Sequence, residues 1–181
     1  MARSRKPAAV SKTPGTRVGT KRRDMRWRAP DGTEWDSRFE YEVFLAYTAA
    51  GFQTRKATEQ DCVTYSRPVR NGVCRKCGAL EVATQHRYTP DLFVIPPHAG
   101  KRGGMAQLGP FSLEVKGYLR AERRSLLRAL CKAQPNLHLR LLVQRDYQVT
   151  KSLSLTEWAR KFLHIPVAVW TGQPPSPAEW R

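Results

Sequence analysis

Two segments of the chain alternate apolar and polar positions with the period of a β-strand. In "FSLEVKGYL", residues 111–119, the apolar side chains at 111, 113 and 115 fall on one face, because successive side chains of a strand point to opposite sides. Glu114 and Lys116 share the other face, about 7 Å apart along the backbone. In "RYTPDLFVI", Pro90 favours a strand start, so Asp91 is predicted to be the first polar side chain of a strand whose remainder is buried.

The rest of the pattern predicts three helices and one more buried strand. "WDSRFEYEVFLAYTAAGF" predicts a helix with Ser37 as N-cap, Glu40 in a capping-box relation to it, and Gly51 at its end. A second helix lies in "AERRSLLRALCKAQP", the strand "LHLRLLVQ" follows, and a third helix lies in "SLTEWARKFL". Residues 61–95 read as strands around turns, and residues 96–110 as a loop. This order predicts an α/β fold with a mixed central β-sheet flanked by helices.

The net positive charge of the chain indicates which class of molecule it binds. The chain has 181 residues, with 32 Lys and Arg against 15 Asp and Glu, a net charge of +17, and such a field favours nucleic acid. Residues 1–28 contain ten Lys or Arg and one acid without apolar periodicity, which predicts a flexible basic arm ahead of a folded domain at 29–181. Arg22 and Arg23 are its candidate DNA contacts; a solubilising tail or a mitochondrial transit peptide are the alternatives. Without a run of eighteen apolar residues, no membrane span is expected.

Carboxylates placed within apolar strands indicate a metal site. Close carboxylates repel each other unless a cation lies between them, and Mg²⁺ prefers oxygen ligands. Asp91 and Glu114, on neighbouring predicted strands, are therefore candidate ligands of an ion that neutralises charge during phosphodiester hydrolysis. Lys116 is a candidate to hold the phosphate or orient the attacking water. The alternative is a turn aspartate and a solvated pair on a strand.

Several motifs of the chain, taken together, resemble those of a known protein family. "TPD" at 89–91 and "EVK" at 114–116 match the PD-(D/E)xK nuclease pattern. Around them, "DSRFE", "HRYTPDLFV", "LEVKG", "LLRALCKAQPNLHLRLLV", "SLTEWARKFLHIPVAVW" and "PAEW" occur in order over about residues 35–180. On these residues the chain resembles the phage endodeoxyribonuclease I family of Holliday-junction resolvases.

The resemblance implies a restriction-endonuclease-like fold and an active site of four residues, Glu40, Asp91, Glu114 and Lys116. It implies two Mg²⁺ or Mn²⁺ ions held by the three acids, and cleavage of paired strands at four-way DNA junctions. It also implies an intertwined homodimer whose active sites are built from both chains, encoded by a phage and acting in the host bacterial cytoplasm. Glu42 is the alternative helix carboxylate, and Glu40 could serve only as a capping partner.

"VCRKCGALE" contains a Cys-x-x-Cys-Gly turn, a shape in which two thiolates wrap one metal ion. It lies in a predicted hairpin insertion at about 60–87, which we expect to bring further ligands to the turn. The predicted ligands of a structural Zn²⁺ are Cys62, Cys74, Cys77 and His86. His98 is a weaker candidate for the fourth position, and Cys131 is predicted to be part of the core. Two reduced cysteines in a turn are the alternative.

The second predicted helix follows the active-site strand with arginines on one face and Leu126, Leu127 and Leu130 on the other. The predicted phosphate-contacting residues of the chain are Arg22, Arg23, Lys101, Arg102, Arg120, Arg123 and Arg124. Such contacts carry little sequence information, so we expect recognition of branch geometry. Two alternatives stay open: another PD-(D/E)xK endonuclease, such as a TnsA-like transposition or a nicking or repair nuclease, and a non-catalytic zinc-bearing DNA-binding protein.

Overall fold

The computed structural model describes residues 26–69, 74, 76–78, 83–97 and 109–180. Within these ranges the helices are α1 (Arg38–Ala49), α2 (Ala121–Ala133) and α3 (Leu155–Leu163). The strands are β1 (Trp27–Arg28), β2 (Glu34–Trp35), β3 (Gln53–Lys56), β4 (Val63–Pro68), β5 (Ala83–Tyr88), β6 (Leu92–Ile95), β7 (Phe111–Lys116), β8 (Leu139–Val143), β9 (Gln148–Thr150), β10 (Leu153–Ser154) and β11 (Val167–Val169).

Five of these strands form a central mixed sheet in the order β11-β8-β7-β6-β3. Strands β11, β8 and β7 run parallel, whereas β6 pairs antiparallel with both β7 and β3. The helix α2 connects β7 to β8, and α3 precedes β11. Because β6 runs antiparallel to β7, the start of β6 and the end of β7 lie at the same end of the sheet.

Helices cover both faces of this sheet, because each face carries apolar side chains. Helix α1 packs Phe39, Val43 and Tyr47 against the face that carries Leu113 and Val115. The capping of α1 accounts for its limits: the Ser37 hydroxyl accepts the N–H of Glu40, and Gly51 has the positive φ of 84° at which chains leave a helix.

The opposite face packs against α2, α3 and the hairpin formed by β4 and β5. Leu127 and Leu130 of α2 are fully buried there, and Leu155 and Ala159 contribute from α3. Tyr88, the last residue of β5, belongs to the same apolar cluster and so brings the hairpin to the sheet.

The predicted α/β class with a mixed central sheet and flanking helices is confirmed. The three helices agree with the prediction within two residues, and residues 111, 113 and 115 share the buried face opposite Glu114. Sequence patterning missed β3, β11 and the short ribbons β1–β2 and β9–β10. Among the described helices, none is both long and apolar enough for a bilayer crossing.

Candidate metal-binding active site

Three carboxylates converge where α1 and β6 begin. Asp36, Glu40 and Asp91 each place an oxygen within 4.8 Å of the others, and this is the group of potential metal ligands found in the described part of the chain. Asp36 precedes the N-cap of α1, Glu40 lies in the first turn, and Asp91 immediately precedes β6. Asp36 is exposed, but Glu40 is only 5% exposed, so this group is not an ordinary surface cluster of acids.

Hydrogen bonds fix Asp91 against the end of β7. Its Oδ2 accepts the backbone N–H of Val115 and the ammonium of Lys116, both at 2.6 Å. Its own N–H donates to the carbonyl of Leu113 at 3.2 Å. Leu92 pairs with Leu113, so the ladder places Asp91 across from Glu114. Asp91 therefore belongs to the sheet as well as to the carboxylate group.

Glu114 is fully buried beside this group, and both of its oxygens are hydrogen-bonded. Tyr88 donates its hydroxyl to Oε2 at 2.5 Å. Arg123 donates from Nε and Nη2 to Oε1, at 3.1 and 2.9 Å, and Lys116 Nζ lies 3.3 Å from the same oxygen. The guanidinium of Arg123 binds Glu114 in this structure, and its contact with DNA phosphates stays a prediction.

Burial and mutual repulsion shift the protonation equilibria of these groups. Burial is the main cause that raises the pKa of Asp91, from its ordinary 3.8 to about 8; Glu114 and Glu40 raise it further, while Lys116 opposes them. Burial likewise raises the pKa of Glu40. Burial alone would lower the pKa of Lys116, but the carboxylates of Glu114 and Asp91 outweigh it and raise that pKa.

The charges of the cluster do not balance. Four carboxylates, of Asp36, Glu40, Asp91 and Glu114, lie in this region, and two cationic side chains contact them: Lys116 pairs with Asp91 and Glu114, and Arg123 pairs with Glu114. A divalent cation among the first three acids would remove this excess negative charge, and carboxylate oxygens are the ligands that Mg²⁺ and Mn²⁺ prefer. The arrangement therefore fits a hard divalent metal.

The structure brings the four predicted catalytic residues into one region of a single chain; their catalytic roles stay a prediction. Glu42, the alternative to Glu40, lies outside the cluster in an exposed ion pair with Arg38 at 2.8 Å. Sequence reasoning missed Asp36. No local pattern marks it, because Asp36 lies ahead of the N-cap of α1, where helical spacing does not apply.

The predicted zinc ligands do not come together. In the hairpin, Val63 pairs with Tyr88 at the base and Pro68 with Ala83 near the tip. Cys62 therefore lies at the base of the hairpin, about 17 Å along the strand from its tip, whereas Cys74 and Cys77 belong to the segment between the two strands. Among the described residues, no three of the four predicted ligands lie within 4.8 Å of one another, and zinc binding stays a prediction.

Cys62 and His86 have other partners. Cys62 Sγ accepts a hydrogen bond from Nε of Arg87 at 3.3 Å, and this contact lowers the pKa of the thiol. His86 Nε2 lies 2.8 Å from the hydroxyl of Thr84, and its ring stacks on Tyr65. Within the described part of the hairpin, Cys74 and Cys77 stay the candidate zinc ligands.

That turn has the shape predicted for it. Gly78, at a φ of 71°, donates its N–H to the carbonyl of Cys74 at 2.8 Å. The backbone N–H groups of Cys77 and Lys76 point at the Cys74 sulfur and lower the pKa of its thiol. Cys131, predicted to be core, is half-buried against the second apolar cluster, and burial raises the pKa of its thiol to about 11.

The remaining candidates for DNA contact divide into two groups. Arg120 is exposed at the start of α2, and Arg124 donates to the carbonyl of Leu119 at 2.8 Å while its guanidinium lies 5.9 Å from the ring of Trp158. The predicted DNA contacts Arg22, Arg23, Lys101 and Arg102 lie outside the described residues, and so does the alternative zinc ligand His98.

Comparison with known proteins returns no match: no family model, no curated protein and no solved structure is similar to the chain. What the fold and the site define by themselves is an α/β protein with a partly buried cluster of acids and one lysine at one end of its central sheet.

Proposed function

We propose that this protein is a metal-dependent DNA endonuclease of the PD-(D/E)xK type, which selects four-way junctions and other branched DNA by shape. The observation that carries the proposal is the convergence of Asp36, Glu40 and Asp91 within 4.8 Å, with the ammonium of Lys116 at 2.6 Å from Asp91. A lone acidic cluster is common on protein surfaces, but one in which Glu40 and Asp91 are largely buried and joined to a lysine on the adjacent strand is costly as structure alone.

The acids have separate roles in this proposal. Asp36, Glu40 and Asp91 would hold Mg²⁺ or Mn²⁺, which supplies charge neutralisation at the phosphodiester and lowers the pKa of water. Glu114 does not need to be a ligand, since both of its oxygens are already hydrogen-bonded. It fixes the position of Lys116 instead, at 3.3 Å from its Oε1.

Lys116 is the side chain best placed to touch the substrate. Its side chain is 20% exposed, whereas Glu114 is fully buried. One N–H of the ammonium is directed at Asp91, and an ammonium has three donors in all. A remaining donor can bind an oxygen of the scissile phosphate and favour the charge that develops there during cleavage.

The choice of branched DNA as substrate rests on the resemblance to the endodeoxyribonuclease I family, and the net charge of +17 agrees with a polyanionic partner. We include a homodimer in the proposal, because two-fold symmetry suits two symmetric nicks. The carboxylates and Lys116 gather within one chain, so each subunit of such a dimer can bring a full set.

The test is incubation with an end-labelled four-way junction and a linear duplex of the same sequence, with Mg²⁺ and with chelator. We expect paired nicks that are confined to the junction and that require the metal. Equal cutting of the linear duplex would point to a different nuclease of the superfamily. Binding of the junction without cutting, in wild type and in Asp91→Asn alike, would point to a non-catalytic DNA-binding protein.

A further inference from the structure

A groove of about 1010 Å³ opens at the end of the sheet opposite the carboxylate cluster. Its walls are the C-terminal ends of α2 and α3 and the first residues of β7 and β8. Because Phe111 lies at this end of β7 and Lys116 at the other, the groove and the cluster are about 17 Å apart along the strand.

The groove is lined by positive charge. Arg128 and Lys132 contribute from α2 and Lys161 from α3, all three exposed, together with His138 and His164. Among the described residues that line it, none is acidic. Nor do these three cations form an ion pair with any carboxylate in the described ranges.

Packing holds two of these cations together. The guanidinium of Arg128 lies 4.8 Å from the centre of the Phe162 ring, and the ammonium of Lys161 lies 5.7 Å from the same centre. Favourable helix-dipole interactions account for Lys132 and Lys161, which lie in the last turns of their helices, but not for Arg128, one turn earlier. Like charges held near one ring favour an anion between them.

A stripe of cations connects this groove to the cluster. Arg120, Arg124, Arg128 and Lys132 recur every four residues along α2, at about 6 Å per step. The stripe slants around the helix and is about 18 Å long. It begins beside Arg123, which contacts Glu114, and ends in the groove.

We propose that the groove binds the sugar–phosphate backbone of a DNA arm that leaves the carboxylate cluster along α2. The inference rests on the proposed function, because it needs DNA as the substrate. The length of the stripe corresponds to about five base pairs of duplex. The groove would thus contact an arm beyond the branch, where only backbone geometry can be read.

The experiment compares two variants that lose the same charge. Arg128→Gln/Lys161→Gln removes two cations of the groove, and Lys76→Gln/Lys151→Gln removes two exposed lysines outside it. Affinity for a fluorescent four-way junction is measured in chelator over a series of salt concentrations, with arms longer than about five base pairs. Unchanged melting temperatures of both variants verify their folding.

We expect the groove variant to bind the junction roughly tenfold more weakly than the wild type. The slope of log K against log[salt] should decrease in magnitude by about 1.8, because each lost phosphate contact contributes about 0.9. The Lys76→Gln/Lys151→Gln variant should keep the wild-type slope. Equal affinities and slopes of the two variants would overturn the inference. Wild-type protein that binds the junction but never cuts it would refute the proposed nuclease, while the binding comparison would still decide the role of the groove.

Discussion

The guanidinium group of Arg123 donates two hydrogen bonds to a single oxygen of Glu114, from Nε at 3.1 Å and from Nη2 at 2.9 Å. Glu114 has no exposed surface, so water cannot replace these bonds. A residue that the sequence groups with DNA-contacting arginines thus stabilises the carboxylate that orients Lys116. The geometry of the site and the stability of the fold depend on the same contact.

Replacing Arg123 with Met is expected to lower the free energy of unfolding, because it leaves a buried carboxylate with one cation fewer. Breaking a buried pair costs about 3–5 kcal/mol, and the lower end applies because the Arg123 side chain is 35% exposed. Urea unfolding measures the effect. Arg128→Met on the same helix serves as the control, and the double variant Arg123→Met/Glu114→Gln should recover part of the loss. An unchanged midpoint in Arg123→Met would contradict the expectation.

Asp91→Asn and Lys116→Ala should each abolish junction cutting while junction binding survives. Both changes remove a charge that touches the proposed metal or phosphate, and losing one such group costs about a hundredfold or more in rate. Single-turnover cleavage and binding in chelator separate the two effects. Glu42→Gln is the matched control, since this exposed carboxylate on α1 pairs with Arg38 and, among the described residues, with no other cation. Wild-type cutting by Asp91→Asn would disprove the proposed role of the cluster.

Asp36→Asn should weaken Mn²⁺ binding by roughly tenfold, because it removes one of three converging carboxylates. Isothermal titration calorimetry on the protein without DNA measures this directly. The control is Asp31→Asn, an exposed aspartate whose Oδ1 accepts the N–H of Thr33 at 2.9 Å. If the two variants bind Mn²⁺ equally well, the ligand set assigned to the metal is wrong.

Stability in chelator should fall as pH rises between about 5 and 8. The folded protein holds the Asp91 proton up to a pKa of about 8, whereas the unfolded chain releases it near the ordinary value of 3.8. The contribution is therefore complete below pH 3.8 and is lost as pH rises through 8, with a slope of at most about 1.4 kcal/mol per pH unit for a single group.

Urea unfolding across this pH range measures the slope for the wild type and for Asp91→Asn. The variant should show a shallower decline, and Mn²⁺ should restore more stability to the wild type at pH 8 than at pH 6, by about 1 kcal/mol or more. Identical pH profiles of the two proteins would rule out Asp91 as the titrating group.

The sequence predicts a Zn²⁺ ion held by Cys62, Cys74, Cys77 and His86. Because Cys62 and His86 are hydrogen-bonded to other side chains in this structure, we expect zinc binding to depend on Cys74 and Cys77 and not on Cys62. Serine at position 74 or 77 should abolish the zinc content of reduced protein, as measured by atomic absorption. Cys62→Ser should leave it unchanged, because Cys62 Sγ accepts a hydrogen bond from Arg87 at the base of the hairpin. Loss of zinc in Cys62→Ser would require a hairpin different from the one in this structure.

Local signals explain what could be predicted. The start of α1 follows from a capping hydroxyl, its end from a glycine, and the two faces of β7 from strict alternation. Strand β3 has the sequence "QTRK" and lies at the edge of the sheet, where side chains carry little apolar pattern. Strand β11 has three residues, too few to show a period.

The candidate site could be predicted only in part from local sequence patterns, because it depends on contacts between elements that are distant in sequence. Helical spacing places Arg123 on a face of α2, but only the packing of α2 shows that this face meets Glu114. Asp36 becomes a candidate ligand because α1 begins beside β6, which no local pattern specifies. The hairpin register places Cys62 at the base of the hairpin, beside Arg87, and a register is set by pairing across strands and not by either strand alone.

Asp36 and Glu40 flank the first turn of α1, and Asp91 opens β6, so the candidate ligands come from two elements that are far apart in sequence. An ion bound there would cross-link the beginning of the helix to the sheet. Dissociation of the ion would then be coupled to fraying of the first helical turn. Adding Mn²⁺ should therefore slow the hydrogen exchange of the amides at 40–42. The order of the first turn of α1 would thus indicate whether the metal ion needed for cleavage is bound.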